Sequence, residues 1–313
     1  MSASGQPALH PGALRCHSPR LRLACRRCAT GLTPSDEGLR CPACGLSLVE
    51  REGILACLPQ GAVGGRPGFD PHFFPGLDQI EERHLWFRAR RLLIRERLQR
   101  WVPDLPQRAL FDIGCGTGAL VAFLERTGVT VAGACDAYAE GLRLARGRVG
   151  APLLLAAEDQ LPPLAAGQSL LGMFDVLEHI DDDRATLAWL TSVLAPGGVL
   201  FLTVPAHPFL FDENDRVACH RRRYTRPELF EKLREAGLEP VRVEHFMALM
   251  VLPRILARMA GFGLHKRPGE LSPLSVIPVV NDVACALLEL EGRLTRWLRA
   301  PFGTSLLAIA ARR

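Results

Sequence analysis

Four clusters in this 313-residue chain have residue types and spacing suited to chemistry. Cys25-Arg-Arg-Cys28 and Cys41-Pro-Ala-Cys44 are two C-x-x-C pairs. Each such turn offers two thiolates, and two turns supply the four soft ligands of one tetrahedral zinc site. Asp112-Ile-Gly114-Cys-Gly116-Thr-Gly118 is an acid leading into a glycine cluster, where a backbone can approach a ligand closely and the next helix can point its amide end at it. Asp175-Val-Leu-Glu178-His179 gathers two carboxylates and an imidazole, groups able to position an acceptor or move a proton. His220-Arg-Arg-Arg-Tyr224 is dense in donors that bind a phosphate or carboxylate bidentately.

These clusters need elements to hold them. A short apolar run ends at Asp112, and after Ala119 the apolar spacing becomes helical, so the glycine cluster joins a strand to a helix over 119–127. Further strands are predicted at 129–136, 152–157, 169–176 and 199–204, with a helix over 184–195 and the turn Pro196-Gly-Gly198 before the fifth strand. Thr225-Arg-Pro-Glu228 is a capping box that opens a helix ending at Gly237. Residues 238–246 and 305–310 alternate as two last strands. Upstream, 79–101 reads as a surface helix whose His84-Leu-Trp-Phe-Arg88 start either caps a cofactor pocket or anchors the helix.

The glycine cluster by itself fits two cofactors. Gly114-x-Gly116-x-x-Ala119, with Asp136 about 20 residues downstream, also satisfies the dinucleotide fingerprint. The order of the later landmarks resembles instead the class I S-adenosylmethionine-dependent methyltransferases: Asp112 before the glycines, Asp136 ending the second strand, Asp175 after the fourth, and the proline-glycine-glycine turn before the fifth. The resemblance implies an α/β, Rossmann-like seven-stranded methyltransferase sheet. It implies that Asp112, Gly114, Gly116 and Gly118 hold the aminocarboxypropyl part of S-adenosylmethionine and Asp136 the ribose. Glu158 or Asp159 would hold the adenine region, and Asp175 would lie near the methionine amine and the acceptor. Ser169 and Ala157 depart from the pattern, since acids are usual at both positions.

The paired cysteines resemble the zinc ribbon that precedes many methyltransferase domains, with 51–59 as its closing strand. The acid-x-x-Glu-His segment resembles one that holds a divalent metal in ubiquinone-pathway O-methyltransferases and in methyltransferases of small-RNA 3′ ends, implying such an ion at Asp175, Glu178 and His179. His207 or His220 could add a ligand. His179 is the first candidate for acceptor positioning or base and His220 the second, with Glu178 beside them.

The domain expectation is a flexible arm over 1–20, a zinc ribbon over 21–60, a linker over 61–76 and a methyltransferase domain over 77–313. Within that domain, 247–302 forms a helical, arginine-studded insertion that could cover the substrate pocket, mediate dimerisation or lie on a membrane through Arg254 and Arg258. The net charge of +5 comes almost wholly from arginine, Lys232 and Lys266 being the only lysines, which reads as compositional bias rather than a nucleic-acid surface. No signal peptide or spanning segment is legible, so the expected location is cytoplasmic, extending to the inner membrane face.

Three functions follow as expectations. The first is methyl transfer to a hydroxyl or amine of a small-molecule, lipid, quinone or saccharide acceptor. The second is RNA methylation, because zinc ribbons followed by Arg-Glu-Gly also precede ribosomal-RNA base methyltransferases. The third is a non-catalytic interaction protein that keeps its cofactor site.

Overall fold

The structure, a computed structural model, describes residues 20–58, 71–156, 162–259, 278–295 and 300–313. Most of the arm and of the linker, together with Cys16, Glu158 and Asp159, lies outside the described residues.

The seven strands predicted for the larger domain form one sheet. β5 (Leu110–Ile113), β6 (Val131–Asp136), β7 (Leu153–Leu155), β8 (Gln168–Phe174) and β9 (Leu194–Pro205) are parallel, and β10 (Leu238–Phe246) and β11 (Ser305–Arg312) add antiparallel strands in the order β7-β6-β5-β8-β9-β11-β10. Parallel strands are covered on both faces, which is why all four residues of β5 and all six of β6 are buried. Strand β9 starts earlier than expected, at Leu194, because Pro196-Gly-Gly198 is absorbed as a register shift against β8 with Gly197 at φ +71°.

Strands β1 (Thr33–Ser35), β2 (Gly38–Arg40), β3 (Ser47–Arg51) and β4 (Ile54–Ala56) form an antiparallel meander around the four cysteines. The closing strand expected over 51–59 is the shorter β4, joined to β3 by a turn at Glu52 and Gly53, both in the left-handed region. Strand β4 then pairs in parallel with β7, Ile54 opposite Leu153 and Ala56 opposite Leu155. Leu39, Leu48 and Leu55 join the same apolar cluster as Leu154, Leu171 and Leu187, so the ribbon shares the core of the larger domain.

The predicted helix over 79–101 is two helices. α1 (Phe73–Ile80) lies partly in the expected linker, its Pro75 in the first turn where no donor is lost, and α2 (Leu85–Trp101) begins at His84, whose Nδ1 accepts the Trp86 N–H. α3 (Ala119–Arg126) follows the glycine cluster, α4 (Ala139–Arg146) follows β6, α5 (Asp183–Val193) precedes β9, and α6 (Glu213–Val217) follows it. α7 (Arg226–Glu235) carries the predicted capping box, with Thr225 Oγ1 accepting from Glu228 N–H. The insertion supplies α8 (Val251–Met259) and α9 (Pro278–Thr295). Helix α9 is tied to α2 by the buried Arg97, whose Nη2 reaches Gly292 O at 3.3 Å and Thr295 Oγ1 at 3.0 Å while its Nε donates to Glu244 on β10 at 2.5 Å.

Candidate active site

The glycine cluster turns sharply at the carboxyl end of β5. Gly114 sits at φ +82°, and a Cβ there would fall 2.3 Å from Val176 Cγ2, so only glycine fits. Gly116 N–H donates to Asp136 Oδ2 at 2.7 Å and Tyr138 N–H to Asp136 Oδ1 at 2.9 Å, so Asp136 fixes the loop from the end of β6. Gly118 is the N-cap of α3. Asp112 is 2 % exposed and its Oδ1 has no partner; burial pushes its carboxyl up to about 7, a rise that Asp136 adds to and Arg90 opposes.

Helix α2 forms the facing wall. Trp86, Phe87 and Arg90 line a cleft of about 180 Å³ with Asp112, Gly114 and Asp175. In the His84–Arg88 segment, His84 caps the helix, Trp86 and Phe87 line the cleft, and Arg88 turns away to Asp282 on α9. Sequence reasoning missed Arg90. Its Nη2 lies 2.5 Å from Asp175 Oδ2 and 3.3 Å from Thr203 Oγ1, its guanidinium stands 5.2 Å over the Trp86 ring, and its buried Nε has no partner. The available signal was its place on the apolar face of α2 beside Leu93, Ile94 and Leu98, where an arginine requires a partner.

On the other side, Asp175 adopts φ +56° and leads into a 3-10 turn over Leu177–His179. Glu178 is completely buried with neither carboxylate oxygen hydrogen-bonded, and burial together with Asp175 drives its carboxyl well above the usual range. His220 arrives from the loop before α7. Its Nδ1 is 2.8 Å from Asp215 Oδ1, its Nε2 is 4.0 Å from Glu178 Oε1, and its ring meets that of His179 edge-on at 4.8 Å. Ligand atoms of Glu178, His179 and His220 all lie within 4.8 Å of one another. The trio that forms therefore contains His220 in place of the expected Asp175, which pairs with Arg90. His207 does not join it, but stacks on His245 at 4.9 Å.

The arginines after His220 also differ from expectation. Arg221 pairs with Asp181, Arg222 with Asp183, and Arg223 with Asp215 and Ala206 O, while Tyr224 Oη donates to Asp183. Acids elsewhere in the chain take these donors, so the block braces the site rather than offering a row of free cations.

The profile of a methyltransferase-domain family matches residues 86–243, half of the chain and every element just described from α2 to β10. The chain belongs to this methyltransferase family.

Among relatives, the ubiquinone biosynthesis O-methyltransferase of Dinoroseobacter shibae is 30 % identical over 156 residues, covering 42 % of this chain and 60 % of that protein. The trans-aconitate 2-methyltransferase of Deinococcus radiodurans is 32 % identical over 120 residues, covering 35 % of this chain and 43 % of that protein. The matched region is thus less than two thirds of either relative's length. An S-adenosylmethionine-dependent methyltransferase of Thermotoga maritima superposes with a TM-score of 0.48 at 18 % identity, covering 77 % of this chain and 98 % of that one.

The methyltransferase cleft fits the cofactor of its family. It has a glycine cradle that a Cβ would fill at Gly114, an orphaned acceptor on Asp112 and an orphaned donor on Arg90. In its ribbon, Cys25 and Cys44 Sγ lie 3.5 Å apart and Cys28 and Cys41 Sγ 3.4 Å apart, with all four sulfurs within 4.8 Å. A tetrahedron with Zn–S bonds of about 2.3 Å has edges of about 3.8 Å, so this cluster could hold zinc.

Proposed function

We propose that this S-adenosylmethionine-dependent methyltransferase methylates a hydroxyl on a small-molecule or lipid-linked acceptor, the class that includes quinones and saccharides. The observation that carries this is the buried Glu178, with both oxygens unpartnered, beside His179 and His220. A buried carboxylate without partners is costly unless it is protonated or meets a cation. These three residues would hold a divalent ion through one oxygen and two nitrogen ligands, and that ion would polarise an acceptor hydroxyl. The naming of ubiquinone O-methyltransferases among the relatives supports the same acceptor chemistry.

On this reading the cleft residues have separate tasks. Asp112 would accept the cofactor's ammonium, and the unused Arg90 donors would take its carboxylate. Gly114, Gly116 and Gly118 let the backbone close on that end. Asp136, at the end of β6, would hold the ribose, and Glu158 or Asp159 would hold the adenine region. The cofactor supplies an already activated methyl group on a sulfonium, so the protein's work is to align the acceptor in line and remove its proton. His179, as one ligand of that ion, would position the acceptor hydroxyl, whose proton is more acidic there and would pass to solvent, while Asp215 fixes the His220 ring with Nε2 toward Glu178. Cys25, Cys28, Cys41 and Cys44 would hold a zinc ion that closes the ribbon, whose β4 pairs with β7.

The test supplies cofactor carrying an isotope-labelled methyl group, with separate lipid, polar-metabolite and RNA fractions, and reads the label by mass spectrometry. Label on an oxygen of a small or lipid-linked compound is the expected result. Label on RNA alone would overturn the acceptor class while leaving the family intact.

A further inference from the structure

We propose that α8 and α9 form a lipid-facing surface that lays this enzyme on an anionic membrane. Both helices turn polar side chains inward and leave an apolar stripe exposed. On α8, Arg254 turns inward to Asp212 and Asp215 at 2.9 and 3.0 Å, while Leu252, Leu256 and Met259 are 63, 55 and 79 % exposed. The cation expected to touch lipid is therefore an internal clasp, and the aliphatic side chains face out.

Helix α9 repeats the pattern. Asn281 accepts from Leu85 N–H and donates to Arg83 O, and Glu291 accepts the N–H groups of Ala248 and Leu249. Val283, Leu287, Leu290 and Leu294, spaced four, three and four residues apart, are each half or more exposed. A surface helix in water normally buries such a stripe and turns its polar side chains outward. Here Asn281 and Glu291, with the buried Cys285 and Leu288, fasten the helix to the protein, and a second apolar stripe is left to a partner.

The composition of the stripe selects the partner. Protein interfaces are rich in Tyr, Trp and Arg anchors with satisfied polar groups, and the stripe has only aliphatic and thioether side chains. By sequence the insertion is cationic: residues 247–302 carry seven Lys and Arg, six of them besides the inward Arg254, against four Asp and Glu. Of those acids, Asp282 is taken by Arg88 and Glu291 by backbone amides. An aliphatic face in a segment of net positive charge suits a bilayer with anionic headgroups. Among the described residues no helix is long and apolar enough to cross a membrane, so the contact is peripheral.

The surface also has a route to the site. Asn281 holds the start of α2, and the next residues of α2, Trp86, Phe87 and Arg90, line the cleft. A lipid-bound enzyme would then present its cleft close to the bilayer surface.

Flotation of the full chain tests this with vesicles of phosphatidylcholine alone and of phosphatidylcholine mixed with phosphatidylglycerol. The chain should float with the mixed vesicles and far less with the neutral ones. Leu256→Asp with Leu287→Asp should lower the bound fraction about tenfold or more, with unchanged thermal unfolding. Leu252→Ser with Leu290→Ser, a milder pair, should lower it less. No flotation with anionic vesicles would overturn the proposal. So would a wild-type dimer in sedimentation velocity that the aspartate pair makes monomeric, since the stripe would then face a second copy.

Discussion

Arg90 on α2 and Asp175 at the end of β8 approach to 2.5 Å across the mouth of the cleft, and neither the Arg90 Nε nor the Asp175 Oδ2 completes an aligned hydrogen bond. The pair is a charge contact that holds α2 over the glycine loop and keeps donors free for a zwitterionic ligand. Arg90→Ala should weaken binding of S-adenosylhomocysteine by about 10- to 100-fold, the worth of a charged hydrogen bond. The analogue lacking the carboxylate should bind both proteins alike. Calorimetry reads both; equal loss on the two ligands would reduce Arg90 to a purely structural role.

Gly114→Ala should cost more than about 2 kcal/mol of stability and abolish cofactor binding, since it combines a left-handed φ with a contact no real Cβ makes. Adding Val176→Ala should recover part of the stability, because it removes the atoms in the way but leaves the backbone strain. Thermal melts with calorimetry separate the two terms.

The raised carboxyl of Asp112 makes stability depend on pH. An acid titrating near 7 in the fold and near 4 when unfolded binds more protons in the folded state, so stability falls as pH rises from about 4 to about 7. Asp112→Asn should flatten that slope. An ammonium group at Oδ1 favours the charged form, so S-adenosylhomocysteine should bind more tightly as pH rises through the same window. Parallel melts and titrations across that range would show either trend missing.

Glu178→Gln should fold as well as wild type, since the amide resembles the protonated acid that burial favours. Its affinity for a divalent ion should fall at least tenfold, read by calorimetry with manganese or zinc after the ribbon cysteines are saturated. Unchanged affinity would remove Glu178 from the proposed ligand set.

Purified protein should contain one zinc per chain by elemental analysis. Cys41→Ser should lower the melting temperature by about 10 °C or more, because the ribbon is too small to fold on its own core and shares its leucines with the sheet. A metal-free protein with an unchanged melt would show that the thiols pack without an ion.

The repeating patterns were legible in the sequence: the strand before Asp112, the capping box at Thr225 and the paired cysteines depend on local spacing alone. What stayed hidden depends on residues distant in sequence. Arg90 reads as one charge among many on α2 until β8 places Asp175 against it. Asp175 looks like a ligand beside Glu178, yet it pairs with Arg90, and His220 completes the trio from the loop before α7. The arginines at 221–223 read as free donors because their acids, Asp181, Asp183 and Asp215, are placed by folding.

The parallel pairing of β4 with β7 has one more consequence. Without it, β7 would end the sheet as a bare, apolar strand with unsatisfied amides and carbonyls, a template on which other chains can add. The short β4, followed by the hairpins behind it, occupies that position, and the outermost strand becomes the three-residue β1 with Pro34 at its centre. The cysteine module is thereby a guard against aggregation, and a methyltransferase domain cut free of it at the linker should precipitate even with every cleft residue intact.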